Sequence, residues 1–240
     1  MDRLRAEVET LQIIDNPAVL KLLDADIEKR FIVTEYHPLG TLDKHLDRYA
    51  GKPVEALIAL KPIVAALQRI HHNHGAIHRD IKTENIFVAS DNRLVLGDFG
   101  IVFSPEGIRL TGCHERVGSH YWMAPWAYKK ERLDIDQINA TLDIFPLGKV
   151  LWSMIAGRSG FAFWECERDE NNLEKLFPNA PMVSLVNRQI ICRCVVREEK
   201  DCIQSAPALP GEIDRLIVTR AYLTVQTLFV RIAFYGWQVP

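Results

Sequence analysis

The residues with the clearest capacity for chemistry stand in three short runs. They are His78-Arg79-Asp80-Ile81-Lys82-Thr83-Glu84-Asn85, Asp98-Phe99-Gly100 and Met123-Ala124-Pro125. Between the first two lie Ile86-Phe87-Val88 and Arg93–Leu96, two β-rich stretches flanking Ser90-Asp91-Asn92, which is a hairpin signal. A hairpin returns the chain to where it began, so it can hold Asp80, Asn85 and Asp98 in one place. The Asp98 carboxylate and the Asn85 amide oxygen are hard ligands, suited to Mg²⁺ carrying a polyphosphate. Lys82 places a compact positive charge near Asp80, and Asp80 can orient an attacking hydroxyl or take its proton. Positioning plus charge neutralisation, with little covalent chemistry, is what phosphoryl transfer requires.

Those runs need elements to carry them. Leu4, Val8, Leu11 and Ile14 form an apolar stripe at helical spacing, and the helix must stop near Asn16-Pro17. Val19–Leu23 and Arg30–Glu35 read as strands around a charged turn at Asp24–Lys29. Thr41 can cap a short helix to about Tyr49. A long helix starts at Pro53, buries Leu57, Leu60, Val64, Leu67 and His71, and ends near Gly75; Pro62 inside it predicts a kink. The glycine-rich run from Gly97 to Pro125 has no period, and a loop of that length in a compact domain is usually functional. Helices follow at about Thr141–Ala156, Met182–Val196 and Pro210–Val218. The expected class is α+β: a small strand-bearing front, then a mostly helical body.

Composition closes off several alternatives. The 240 residues are 48% hydrophobic and 25% charged, which excludes a disordered or fibrous chain. With 29 basic and 31 acidic residues the net charge is -2, so nothing signals a nucleic-acid partner. Five cysteines without a CxxC pair do not make a disulfide framework, and Cys192 and Cys194 read as bystander thiols of a reducing compartment. His71, His72 and His74 fit a helix C-terminus better than a metal site. The most apolar stretch, Leu216–Trp237, is broken by Arg220 and Arg231 and falls short of a membrane span. A cytoplasmic location is the expectation.

HRDIKTEN, DFG and the GSHYWMAP segment together resemble a eukaryotic-type serine/threonine protein kinase, over nearly the whole chain. The resemblance implies a bilobal fold with a reduced N-lobe, made of helix C and about two strands, and a helical C-lobe. It implies a kinase domain over 1–219, with partial N-lobe and hinge in 1–37 and C-lobe in 38–219, leaving 220–240 unassigned. ATP and Mg²⁺ would be the cofactors and a protein Ser/Thr hydroxyl the acceptor. Asp80 would be the catalytic base and Lys82 the γ-phosphate contact, with Asn85 and Asp98 as metal ligands. Glu7 matches the helix-C glutamate. Thr34 matches the gatekeeper, and the backbones of Glu35 and His37 would bind adenine over Phe87. Phe99 and Gly100 complete DFG, and Ser119 matches the residue of the substrate loop that contacts the catalytic loop. Arg79 resembles kinases regulated by activation-loop phosphorylation, which points to Thr111 and Ser104.

Departures from the family are equally specific. No GxGxxG occurs, and no lysine precedes Lys21, so Glu7 lacks its family partner and the phosphates lack a cover; the chain reads as an N-terminally truncated domain. Trp126 replaces the glutamate of Ala-Pro-Glu, and its usual arginine partner falls on Asp201 or Cys202. Asp143 and Gly148 match the central helix, with Pro146 between them. A partner protein covering the incomplete N-lobe is implied. Two further readings stay open: a pseudokinase or scaffold without catalysis, and a small-molecule kinase of related fold. Arg79-Asp80-Ile81-Lys82 and Ser119–Pro125 argue against the latter.

Overall fold

The computed structural model describes residues 3–99, 121–129, 137–205 and 209–220. Helix α1 spans Arg3–Ile13 and buries Val8 and Leu11 against the front. Strands β1 (Leu22–Asp26) and β2 (Phe31–Thr34) pair antiparallel, with a register shift between Leu22 and Asp24. The turn between them is Ile27–Arg30, two residues shorter than the charged run, because Ala25 and Asp26 continue the ladder opposite Ile32 and Phe31. The expected start at Val19 shifts to Leu22 for a reason: Val19 bridges Leu96 in parallel, and Leu20 N–H donates to Leu96 O at 2.8 Å. The residues before β1 thus stitch the front onto the hairpin that carries the site.

The segment after Gly40 forms two 3₁₀ turns, Leu42–Lys44 and Leu46–Tyr49, in place of a single short helix. Thr41 makes no side-chain cap; it bridges Phe87 instead. Helix α2 (Pro53–His74) has proline at its start and Gly75 at its end with φ +57, its N–H on Ile70 O. Its buried face includes Leu57, Leu60, Ile63, Val64, Leu67 and Ile70. The helix runs through Pro62, which is exposed. Strands β3 (Ile86–Val88) and β4 (Leu94–Leu96) form the expected hairpin, Ile86 opposite Leu96.

Helix α3 (Pro125–Tyr128) precedes α4 (Thr141–Ala156), which is buried along all but its last residue. An all-round apolar helix belongs in the middle of a body. Pro146 is its sixth residue and stays within the helix, at the cost of one hydrogen bond to Leu142 O. Helices α5 (Leu173–Leu176), α6 (Pro181–Val186) and α7 (Cys192–Cys194) surround it, with a π-helical turn at Asn187–Ile191 between the last two. The expected helix Met182–Val196 is thus helical from 181 to 194, with its middle turn widened to a π-helical one. A Cβ on Gly148 would stand 2.4 Å from Cys194 Cβ, so only glycine lets α4 and α7 approach this closely. Helix α8 covers 209–220 and buries Leu209, Ile213 and Leu216. No helix of the described residues is long and apolar enough to cross a membrane.

Candidate active site

The loop between α2 and β3 carries the first run, and Asp143 on α4 organises it. Asp143 is fully buried and accepts His78 N–H and Arg79 N–H at 2.8 Å each, and the His71 ring at 2.8 Å. Burial alone would push its carboxyl upward. The hydrogen bond and charge of His71 and the Arg79 N–H outweigh that and hold it below the usual carboxylate range. These contacts fix Arg79 at φ +71, in the left-handed region, where a non-glycine residue stores strain of order 1–3 kcal/mol. The loop leaves that kink in a set direction, towards Asp80.

His78 ties this loop to the strand end that carries Asp98. Asp80 N–H donates to its Nδ1 at 3.3 Å, and the Gly97 carbonyl lies 3.1 Å from Nε2, which fits a neutral ring with its proton on Nε2. Burial pushes the His78 pKa down, in agreement with that neutral form. Its ring meets Phe99 edge-on at 4.6 Å. Gly97 N–H donates to Asn85 O at 2.9 Å, so Asn85 and the residue before Asp98 share a peptide contact. Asp98 has φ +59 and is exposed, its carboxylate turned from the core.

Around Asp80 the geometry is tight. Lys82 Nζ lies 2.6 Å from Asp80 Oδ2, and Asn85 Nδ2 donates to Asp80 O at 2.9 Å and Oδ2 at 3.0 Å. Asn85 therefore spends its N–H groups on Asp80, and its amide oxygen is the end available to a cation. Asp80 and Asn85 are buried to within a tenth of their surface.

The residues expected to form the hinge lie on the other side of β3. A cavity of about 510 Å³ is lined by Leu20, Thr34, Glu35, His37, Gly40 and Phe87, among others. Glu35 N–H is committed to Lys21 O, and His37 O accepts Gly40 N–H, both at 3.0 Å. That leaves Glu35 C=O as acceptor and His37 N–H as donor, two residues apart, with no hydrogen bond among the described residues. The His37 ring stands 5.8 Å from that of Phe87, and its buried Nε2 has no partner among the described residues.

Glu7 of α1 faces the same centre from the front. Burial and the nearby Asp98 charge push its carboxyl up, and only the Phe99 backbone N–H offsets them. No cation pairs with it among the described residues. Gly100, Ser104, Thr111 and Ser119 lie outside the described residues. The structure thus brings Asp80, Lys82 and Asn85 together on the loop that enters β3, and the Gly97–Asn85 contact places Asp98, just past β4, at the same end of the hairpin, with Glu7 near Asp98 and the expected hinge residues beyond β3.

Two contributors escaped sequence reasoning. His71 lies on the buried stripe of α2 as its spacing implies, but a buried polar side chain needs a partner, and its bond to Asp143 was not foreseen. Gly97 had no assigned role. A Cβ there would meet Phe87 Cε2 at 2.6 Å, so glycine lets the hinge-side ring lie against the strand end. No group of three or more His, Cys, Asp or Glu that could hold a metal occurs among the described residues, and Cys166, Cys192, Cys194 and Cys202 are free thiols.

A small front with one helix, a hinge, and a helical body that presents this loop and hairpin define the protein kinase class. The family model for the protein kinase domain matches residues 1–204, and the chain belongs to that family. It is 30% identical over 187 residues to the serine/threonine-protein kinase ATG1a of Arabidopsis thaliana, covering 74% of this chain and 27% of that protein. It is 28% identical over 203 residues to the CBL-interacting protein kinase 16 of Oryza sativa subsp. japonica, covering 82% and 43%. A bacterial relative, the serine/threonine-protein kinase PknL of Mycobacterium tuberculosis, is 26% identical over 164 residues, covering 67% and 40%. The chain spans less than half the length of these relatives.

Proposed function

We propose that this chain is a catalytic domain that transfers the γ-phosphoryl group of ATP to a serine or threonine hydroxyl of a protein, in the cytoplasm. The observation that carries the reading is the Asp80 carboxylate, held between Lys82 at 2.6 Å and Asn85 at 3.0 Å on a loop tied to Asp143. Asp80 would receive the acceptor hydroxyl and take its proton, and Lys82 would offset charge at the phosphoryl group. Adenine would bind the Glu35 carbonyl and His37 N–H over Phe87. The Asn85 amide oxygen and the exposed Asp98 carboxylate fit Mg²⁺, which when bound neutralises phosphate charge. Residues 1–219 would form the domain, with the lobe boundary near 37.

Incubation with Mg-ATP and a generic basic protein should transfer phosphate, and Asp98→Ala should lower the rate by at least about 10²–10³-fold. Equal background from both chains overturns the reading. The second reading, a module that binds partners without catalysis, is favoured by Glu7 facing Asp98 with no cation beside it among the described residues. Stabilisation of the chain by Mg-ATP without any transfer selects a nucleotide-binding scaffold. A partner that covers the front sheet, where Leu23, Phe31 and Val33 are exposed, fits either reading.

A further inference from the structure

Lys149 follows Gly148 on α4 and is fully buried. No carboxylate forms an ion pair with it among the described residues. Its Nζ donates to the backbone carbonyl of Tyr121, and it stands 5.3, 5.5 and 5.9 Å from the ring centroids of Phe161, Trp122 and Phe145. Enclosing an ammonium without a counter-charge is costly, and well-packed apolar residues in its place are often neutral or stabilising. A lysine in this setting is therefore poorly explained by stability. Burial pushes its pKa down to about 7, with Cys166 and Glu165 only partly opposing the shift.

Its one backbone partner gives the better explanation. Tyr121 opens the segment Tyr121–Pro125, in which Trp122, Met123, Ala124 and Pro125 are buried while the Tyr121 side chain is 60% exposed. The next residue, Trp126, packs on the core and meets Phe145 edge-on at 5.5 Å, and its indole N–H has no partner among the described residues. Asp201 is exposed, and the Cys202 thiol points to Cys194 O at 3.4 Å, so neither offers Trp126 a charged tie. The ammonium of Lys149 reaches the segment from beneath, through the floor of aromatic rings.

We propose that Lys149 is a positioning residue: seated among Phe161, Trp122 and Phe145, it fixes the Tyr121 carbonyl and so sets the path of Tyr121–Pro125, the segment against which a protein substrate lies. The role of that segment rests on the kinase reading; the tether itself does not. Lys149→Met keeps the length of the side chain and removes the donor. In the full chain, thermal stability should hold or rise, while amide exchange at 121–128 becomes about tenfold faster and exchange elsewhere is unchanged. With a peptide substrate, KM should rise several-fold with kcat held. Phe161→Leu keeps the ammonium but opens its seat, and should loosen the same amides to a smaller degree.

A uniform rise in exchange with a fall in melting temperature makes Lys149 a structural residue only and overturns the proposal. Unchanged exchange at 121–128 in Lys149→Met, or in Phe161→Leu should the first variant fail to fold, overturns it as well. If the wild-type chain transfers no phosphate, the kinase reading fails, and the exchange result still decides the tether.

Discussion

Asp143 in the body and Glu7 in the front are both acids that burial pushes upward, and they end on opposite sides of their ordinary values. Asp143 is met by His71 and by the Arg79 N–H, and ends low. Glu7 is met by the like charge of Asp98 and by one backbone N–H, and ends high. The same contrast runs through their surroundings. The body closes around Thr83, Asn85 and His78, while the front leaves Leu23, Phe31 and Val33 open on a two-stranded sheet that is marginal alone. The loop that carries Asp80 is therefore organised before any ligand arrives. The front has an acid placed beside Asp98 and no positive charge paired with it among the described residues.

The largest effect should come from cutting the body at its centre. Asp143→Ala leaves two backbone N–H groups and the His71 ring without their acceptor in a buried place. It should cost about 3–5 kcal/mol in urea unfolding. The sign of the pH effect follows from the lowered carboxyl: its stabilising contribution is present above about pH 4, the ordinary value, and is lost as pH falls through the still lower folded value. The acid limb of the wild-type stability curve should accordingly be steeper than that of the variant. If Asp143→Ala unfolds like wild type, the loop is held by something other than this acid, and the contrast with the front disappears.

A smaller effect should appear where the two regions meet. Gly97→Ala drives a methyl into the Phe87 ring, and overpacking of this kind costs typically about 1–3 kcal/mol. The ring has the hinge cavity to move into, so the loss should fall mainly on nucleotide binding: the thermal shift on Mg-ATP should shrink more than the melting temperature of the free chain. A loss confined to the free chain would place Phe87 in the core and not in the hinge.

How far the sequence showed all this differs by region. Asp80, Lys82, Asn85 and Asp98 were legible because hairpin signals and residue types agreed over a short stretch, where local geometry leaves little freedom. The long helices were legible from period, proline starts and Gly75. The start of β1 was not, because Val19 and Leu20 pair with β4 across a sequence distance no local pattern records. The π-helical turn at Asn187–Ile191 and the close approach of Cys194 to Gly148 were not legible either, the second because it joins residues distant in sequence. His71 was visible as a histidine on an apolar stripe; its partner Asp143 was not, since 72 residues separate them. Lys149 sat unremarked within an apolar helix, where it and Asp143 were the two charges that break the pattern.

The smallest effect tests the front by itself. Glu7 is raised by burial first and by Asp98 second, so the folded chain binds this proton more tightly than the unfolded chain does. Stability then declines as pH rises from about 4.5 through the raised value, and stays lower above it. Glu7→Gln removes the charge while keeping the shape, so its melting temperature should match wild type near pH 4 and exceed it by about 2 °C or less at pH 7. A cation that settles between Glu7 and Asp98 would reverse the sign, because the carboxylate would then gain a partner. Repeating the pair of melts with millimolar Mg²⁺ and ATP should therefore erase the advantage of the glutamine. If glutamine lowers the melting temperature in the absence of ligand, Glu7 already has a favourable partner, and the front is as well organised as the body behind it.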